Sequence, residues 1–351
     1  MLRIFGWSLG VSLFALGVGW WYGSWEALVL VLILGAFEVS ISFDNAVLNA
    51  TILQKMSEFW QKIFLTVGIV IAVFGMRLVF PLAIVWVTAG LDPVRAIDLA
   101  LNPPANGAAT FPDGSPSYET ILTGAHPQIA SFGGIFLLML FLNFVFTSRE
   151  ITWLTHTEEF LAKIGKLDQL AVVISAIVIL VIGMIAPADE QATVLISGLV
   201  GLVTFILVDG LGKLFHPEGH TGPSEAAVAT GKAGFFLFMY LEVLDASFSF
   251  DGVIGAFAIT SDPVIIALGL GLIGAMFVRS ITVFLVRKGT LGEYVYLEHG
   301  AHWAIGALAF ILLLSIKVHV PEIVTGMVGI LLILAAFLTS VRQNKREAAE
   351  A

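Results

Sequence analysis

The chain has no cysteine. That absence excludes a disulfide framework, a thiolate metal site and a cysteine nucleophile, so any metal handled here must be held by oxygen or imidazole. Charge is scarce too: 12% of the 351 residues are Asp, Glu, Lys or Arg, against roughly 25% in an average soluble domain. Basic charge is the scarcer sign, with 17 Lys and Arg against 26 Asp and Glu, a net of −9. A nucleic-acid partner would call for basic clusters and is disfavoured, which leaves cations as the natural guests. The sequence is instead filled by hydrophobic residues, at 58%, with a mean hydropathy of +0.97. Such a chain reads as a polytopic, all-α membrane protein forming a single membrane domain over residues 1–351.

A helix needs about 20 apolar residues to cross the hydrocarbon core, and by that measure about ten spans are expected. They run over 4–22, 26–51, 61–88, 128–147, 169–187, 192–214, 233–260, 263–287, 300–317 and 321–341. Segment 4–22 follows Arg3 but ends in "GVGWWYGSW", too bulky for a signal-peptidase site, so an uncleaved peripheral span is expected. With a cytoplasmic N-terminus, the inner segments collect Arg3, Lys55, Lys62, Arg149, Lys163, Lys166, Lys213, Lys232, Arg287, Lys288, Arg342, Lys345 and Arg346. Only Arg95 and Lys317 then fall outside, which follows the positive-inside rule and places both termini in the cytoplasm. The 89–127 segment becomes an extracytoplasmic loop. The tryptophans, Trp60 among them, sit near span ends, as an interfacial aromatic belt would place them.

The sequence also repeats itself. "FEVSISFDNAV" at 37–47 is echoed by "VLDASFSFDGVI" at 243–254, with Ser-x-Ser-Phe-Asp in common. Glu38 stands six residues before Asp44 as Asp245 stands six before Asp251, and Arg77 and Arg279 follow within the next span of each copy. The copies lie on the second and seventh spans, an odd offset of five, so they would cross in opposite directions. That is an inverted-topology repeat, with a first repeat over 26–147, linking spans over 169–214, and a second repeat with the C-terminal span over 233–341.

At 100° per residue, Glu38, Ser42, Asn45 and Asn49 share one helix face, and Glu242, Asp245, Ser249 and Gly252 share another. Asp44 and Asp251 lie about 120° off these stripes, so each faces a second helix or is brought round where the helix unwinds. Gly252 marks the second copy as the place for such unwinding. The bland reading is that the acids merely pair with Arg77 and Arg279 to hold helices together. Five carboxylates against two arginines leave about three charges, which protons or a bound cation must neutralise inside a bilayer. Glu38, Asp44, Asn45, Glu242, Asp245 and Asp251 are the candidate metal ligands, with Ser42, Asn49, Ser249, Arg77 and Arg279 in support. This hard-oxygen set suits Mn2+, Ca2+ or Mg2+.

Other signals carry less. The "HPEGH" at 216–220 is a pair of loop histidines, and the remaining histidines fall at span ends or in loops. "ATGKAG" at 229–234 lacks the spacing and the Ser or Thr of a phosphate loop, which disfavours an ATP-driven pump. Two Asp on facing helices also fit an intramembrane aspartyl protease, and a membrane scaffold or assembly factor is the other alternative. The first has more acids than it needs and the second needs none.

The duplicated motifs resemble those of the TerC family of integral membrane proteins, related in architecture to the lysine-exporter superfamily. The family's Glu, then Ser-x-Asp-Asn, corresponds to Glu38, Ser42, Asp44 and Asn45; its Glu-x-x-Asp and Phe-x-x-Asp correspond to Glu242, Asp245, Phe248 and Asp251. The resemblance covers residues 26–90 and 233–317, and the long outward loop and extra first span depart from the smaller members. It implies export of a divalent cation, Mn2+ or secondarily Ca2+, as substrate across a bacterial cytoplasmic membrane. No cofactor and no enzymatic activity are expected; the partners are the bilayer, divalent cations and protons, with a homo-oligomer compatible with these features.

Overall fold

In the computed structural model, which describes residues 2–88, 90–104, 108–214, 229–257, 259–260, 262–288, 294–318 and 320–350, the first apolar run folds back on itself. Helix α1 (Leu2–Ile41) is broken at Gly23 and Ser24, where φ is −140° and +58°. A Cβ on Gly19 would meet Val31 Cγ2 at 3.1 Å, which a straight helix rising about 1.5 Å per residue does not permit. The two halves therefore lie side by side, with Ala15, Ala27, Val31 and Leu34 in one buried cluster.

After a one-residue break at Ser42, the chain continues as α2 (Phe43–Leu53) and α3 (Glu58–Ile63). Two π-helical stretches follow, Phe64–Gly68 and Ile71–Val79, before α4 (Phe80–Thr88). The 89–127 segment, expected as a loop, contains α5 (Pro93–Leu101) and α6 (Tyr118–Gly124). Asp92 Oδ1 accepts from the Val94 and Arg95 amides at 3.0 and 3.1 Å, and Pro93 sits where its missing N–H costs nothing. Ser117 Oγ caps α6 through the Thr120 amide. Helices this short are marginal alone; both are packed against α4, and tertiary support overrides the loop-like composition.

The rest is helical. It comprises α7 (His126–Val145), α8 (Thr155–Ile164), α9 (Leu170–Ile185), α10 (Gln191–Leu214), α11 (Gly231–Phe257), α12 (Pro263–Ile266), a π-helical stretch Ala267–Gly274, and α13 (Ala275–Lys288). The chain closes with α14 (Leu297–Ser315) and α15 (Glu322–Glu350). No strand occurs among the described residues, only two isolated bridges. Among the described residues, six helical stretches are each long and apolar enough to cross a bilayer, beginning at Ile4, His126, Gln191, Pro263, Leu297 and Met327, with the broken α1 counted once. The bent pair Glu58–Gly68 and Ile71–Ala83 adds a seventh if it is counted as one broken span. The fold is thus a polytopic helical bundle.

Glycine lets α7 approach its neighbours. A Cβ on Gly134 would press on the Leu313 side chain at 2.8 Å, and one on Gly306 would press on the Phe141 ring at 2.7 Å, so α7 and α14 each seat a large side chain on a bare glycine of the other. Ser131 Oγ donates to the Val194 carbonyl at 2.8 Å, a bond between α7 and α10. The Trp60 ring packs on Gly234 and beside Phe235 and Phe238. Gly234 leaves a space that a flat indole fills.

Helix α8 is held by one carboxylate. Glu158 accepts from Trp303 Nε1 at 3.0 Å and from the Trp153 and Leu154 amides at 3.2 and 3.3 Å, and lies 2.9 Å from His299 Nδ1. Burial pushes this carboxyl upward, but donation from His299, Trp303 and Leu154 outweighs it and holds the group at about 2, below its ordinary 4.5. A depressed carboxyl contributes stability that is fully present above its unfolded value and is lost as pH falls through the folded one. Docking of α8 should therefore persist from neutral pH to about 4.5 and weaken towards pH 2. Hydrogen–deuterium exchange protection at 155–164, corrected for the intrinsic pH dependence of amide exchange, should fall over that window, and Glu158→Gln should flatten the profile; equal acid dependence in both proteins would refute the assignment.

Candidate cation site

The two sequence motifs meet in the bundle interior. Helix α1 carries Glu38 to its end, where the acid is 1% exposed. Its Oε1 accepts from Ser42 Oγ at 2.7 Å and forms an ion pair with Arg77 Nη2. Arg77 also donates Nη1 to the Ala72 carbonyl at 2.8 Å, within the π-helical stretch Ile71–Val79. A charge placed here without a partner would cost several kcal/mol, so this pair and its hydrogen bonds make Glu38 tolerable. Asp245 lies within the electrostatic reach of the same guanidinium.

Asn45 links the motifs directly, donating Nδ2 to Asp245 Oδ1 at 2.9 Å. One turn further along α2, Asn49 faces a cavity of about 40 Å³ whose polar lining also includes Arg77, Glu242, Asp245, Arg279 and Thr282. That volume holds a water or an ion, since one water-sized probe needs about 10 to 15 Å³. Both Glu242 oxygens, Asp245 Oδ2 and Asn49 Oδ1 are buried and find no hydrogen-bond partner among the described residues. Ser249 Oγ is likewise buried and unpartnered there, but it does not line the cavity. Arg279 donates Nε to the Leu65 carbonyl at 2.9 Å, inside the π-helical stretch Phe64–Gly68.

The packing crosses between motifs. Helix α1 lies along the stretch Ala267–Gly274, which follows the second motif, and α11 lies along Ile71–Val79, which follows the first. A Cβ on Gly274 would strike Glu38 Cβ at 2.6 Å, and one on Gly68 would strike Glu242 Oε1 at 2.8 Å. Each acid therefore rests against a bare glycine in the span after the other motif. Glycine inside an apolar run was the available signal, but nothing in the sequence pairs either one with its acid. Thr282 was also missed, although it stands one helical turn after Arg279; its Oγ1 donates to the Val278 carbonyl at 2.9 Å.

One expectation changes. The helix was expected to unwind at Gly252, yet α11 runs unbroken from Gly231 to Phe257 and the interruption falls at Ser42 in the first copy. Even there the ladder survives on both sides, with Ser42 N to the Glu38 carbonyl at 2.9 Å and Ala46 N to the Ser42 carbonyl at 3.1 Å. The Glu38 and Ser42 carbonyls thus keep helical partners, as a bilayer interior requires. The Asp44 and Asp251 side chains and the "HPEGH" segment lie outside the described residues. Among the described residues, no group of three or more His, Asp or Glu side chains is placed to hold a metal ion. Glu242, Asp245 and the Asn49 amide can supply only part of a coordination shell.

No curated protein and no solved structure matches this chain. A family model described as a protein of unknown function, DUF475, matches residues 43–347, and the chain belongs to that family. The match takes in every residue that lines the cavity and leaves out Glu38.

Proposed function

We propose that this DUF475 member is a secondary transporter that exports a divalent cation, Mn2+ before Ca2+, in exchange for protons. The observation that carries the reading is the set of buried, unpartnered oxygens on Glu242, Asp245 and Asn49 around one ion-sized cavity. Buried acceptors without partners are expensive, and in a membrane protein such acids mark ion pathways by default. Carboxylates and an amide oxygen are hard donors, which suit Mn2+, Ca2+ or Mg2+ over softer metals. In the empty state protons would occupy the same oxygens, so loading a metal displaces them and gives the exchange. Asp44 and Asp251 are assigned to complete the shell, with Asn45, Ser42, Ser249, Arg77 and Arg279 as orienting groups.

The architecture proposed with this function has about ten spans arranged as an inverted repeat, both termini in the cytoplasm, in a bacterial inner membrane. Support comes from the reciprocal packing of α1 and α11 on each other's following spans and from the TerC resemblance of the two motifs. A scaffold would have no use for an ion-sized cavity that two buried acids face. The test is transport by the purified chain in proteoliposomes holding a Mn2+ indicator and, separately, a pH indicator. Mn2+ should enter down its gradient and protons should move the opposite way. Mn2+ movement without proton flux would leave a uniporter; no Mn2+ movement above empty liposomes would end the transport reading.

A further inference from the structure

A second cavity, of about 330 Å³, opens near the start of the chain between the first half of α1, α3 with its π-helical continuation, and α13. Its walls are Ile4 and Trp7 on α1, Lys62, Leu65 and Thr66 on the second element, and Arg279, Ser280 and Val283 on α13. Two cations face it, and no carboxylate is among its described walls. Trp7 on its wall is 72% exposed, and exposed apolar side chains continue along the same segments, at Leu13 and Phe14 further along α1 and at Val70, 57% exposed, and Phe74 after Thr66. In a protein of this composition such surfaces face acyl chains rather than water.

We propose that this groove binds the phosphate headgroup of an anionic phospholipid. Lys62 supplies the charge at the mouth, the Arg279 guanidinium closes the inner wall, and Trp7 sits at the depth where indole rings meet headgroups. Basic pockets between membrane helices recognise lipid phosphates in this way. A soluble anion is the poorer fit, because apolar Ile4, Leu65 and Val283 line the same space and lipid tails would run along the exposed Leu13, Phe14, Val70 and Phe74. With the topology proposed above, the groove lies in the inner leaflet, where anionic lipids are concentrated.

Arg279 also lines the ion-sized cavity around Glu242 and Asp245, so one side chain is a wall of both sites. A lipid phosphate that draws on Arg279 changes the positive charge available to those acids. Lipid composition thereby sets how tightly the cavity holds a cation. This second step rests on the transport reading; the binding step does not.

The binding step is tested on the full chain in nanodiscs or detergent by native mass spectrometry, with phosphatidylglycerol as probe and phosphatidylcholine as reference. The wild-type chain should retain phosphatidylglycerol preferentially. Lys62→Gln should lower that retention about fivefold, the effect of roughly 1 kcal/mol per basic residue near a lipid surface. Trp7→Ala, at an exposed position that leaves the core untouched, should lower it in the same direction. Equal retention of the two lipids, or retention unchanged in both variants, would overturn the proposal. Competition by inorganic phosphate as strong as by phosphatidylglycerol would overturn the lipid assignment in favour of a soluble anion. Because retention is read without any cation flux, lipid binding that holds while Mn2+ transport fails would count against the transport reading alone.

Discussion

Glu242→Gln lowers Mn2+ uptake by proteoliposomes about 10- to 100-fold at subsaturating Mn2+, with the protein folded as before. The substitution keeps the side chain's length and shape and removes one negative charge. In the wild-type chain both oxygens of that charge lack a hydrogen-bond partner among the described residues, and although Arg77 and Arg279 share the cavity wall, the transported ion or a proton is what those oxygens can bind directly. A neutral amide in the same place does not need neutralising, and the site loses both its attraction for a divalent ion and its exchangeable proton. Stability should hold steady or rise slightly, because an unpaired buried acid has been replaced. Isothermal titration with Mn2+ and elution by size are the companion measurements. Transport at the wild-type rate by a folded Glu242→Gln protein would move the site away from this cavity.

The second large effect falls on stability. Arg77→Met leaves Glu38 buried at 1% exposure with Ser42 as its remaining donor among the described residues, and breaking a buried pair from one side costs about 3 to 5 kcal/mol. Thermal denaturation in detergent should show this as a large fall in Tm. Glu38→Gln combined with Arg77→Met removes both charges together and should recover most of the loss, since replacing a whole buried pair is often neutral. A single Arg77→Met protein as stable as wild type would show that Glu38 is neutralised by something other than Arg77. The contrast with Glu242 is the point of the pair: one acid is sensitive in folding and the other in transport.

That contrast was not visible in the residues. The repeated Ser-x-Ser-Phe-Asp, the stripe of Glu38, Ser42, Asn45 and Asn49, and Glu242 with Asp245 could all be read from spacing, because helical periodicity places i, i+3 and i+4 on one face regardless of what lies opposite. The membrane class followed from composition, for apolar runs of this length have no other stable environment. Glu38 and Glu242, however, look alike on paper, and which of them meets a guanidinium depends on how α1, α11 and the spans after them cross. The helices within the 89–127 segment were hidden for a related reason. Their caps, Asp92 and Ser117, are local signals, but their survival depends on α4 lying beneath them.

The expected unwinding at Gly252 shows the limit of local reasoning most directly. Glycine lowers the cost of leaving the helix, yet whether the chain leaves depends on whether the freed backbone groups find partners, and in a bilayer only the surrounding helices can provide them. Residue type and period thus dictated which side chains are polar, how they are spaced and that they lie within a membrane. The packing of the helices, with Gly68 on Glu242 and Gly274 on Glu38, decided that Glu38 meets Arg77 while Glu242 faces an ion-sized cavity, because contacts between segments some two hundred residues apart are set by shape complementarity that no local pattern encodes.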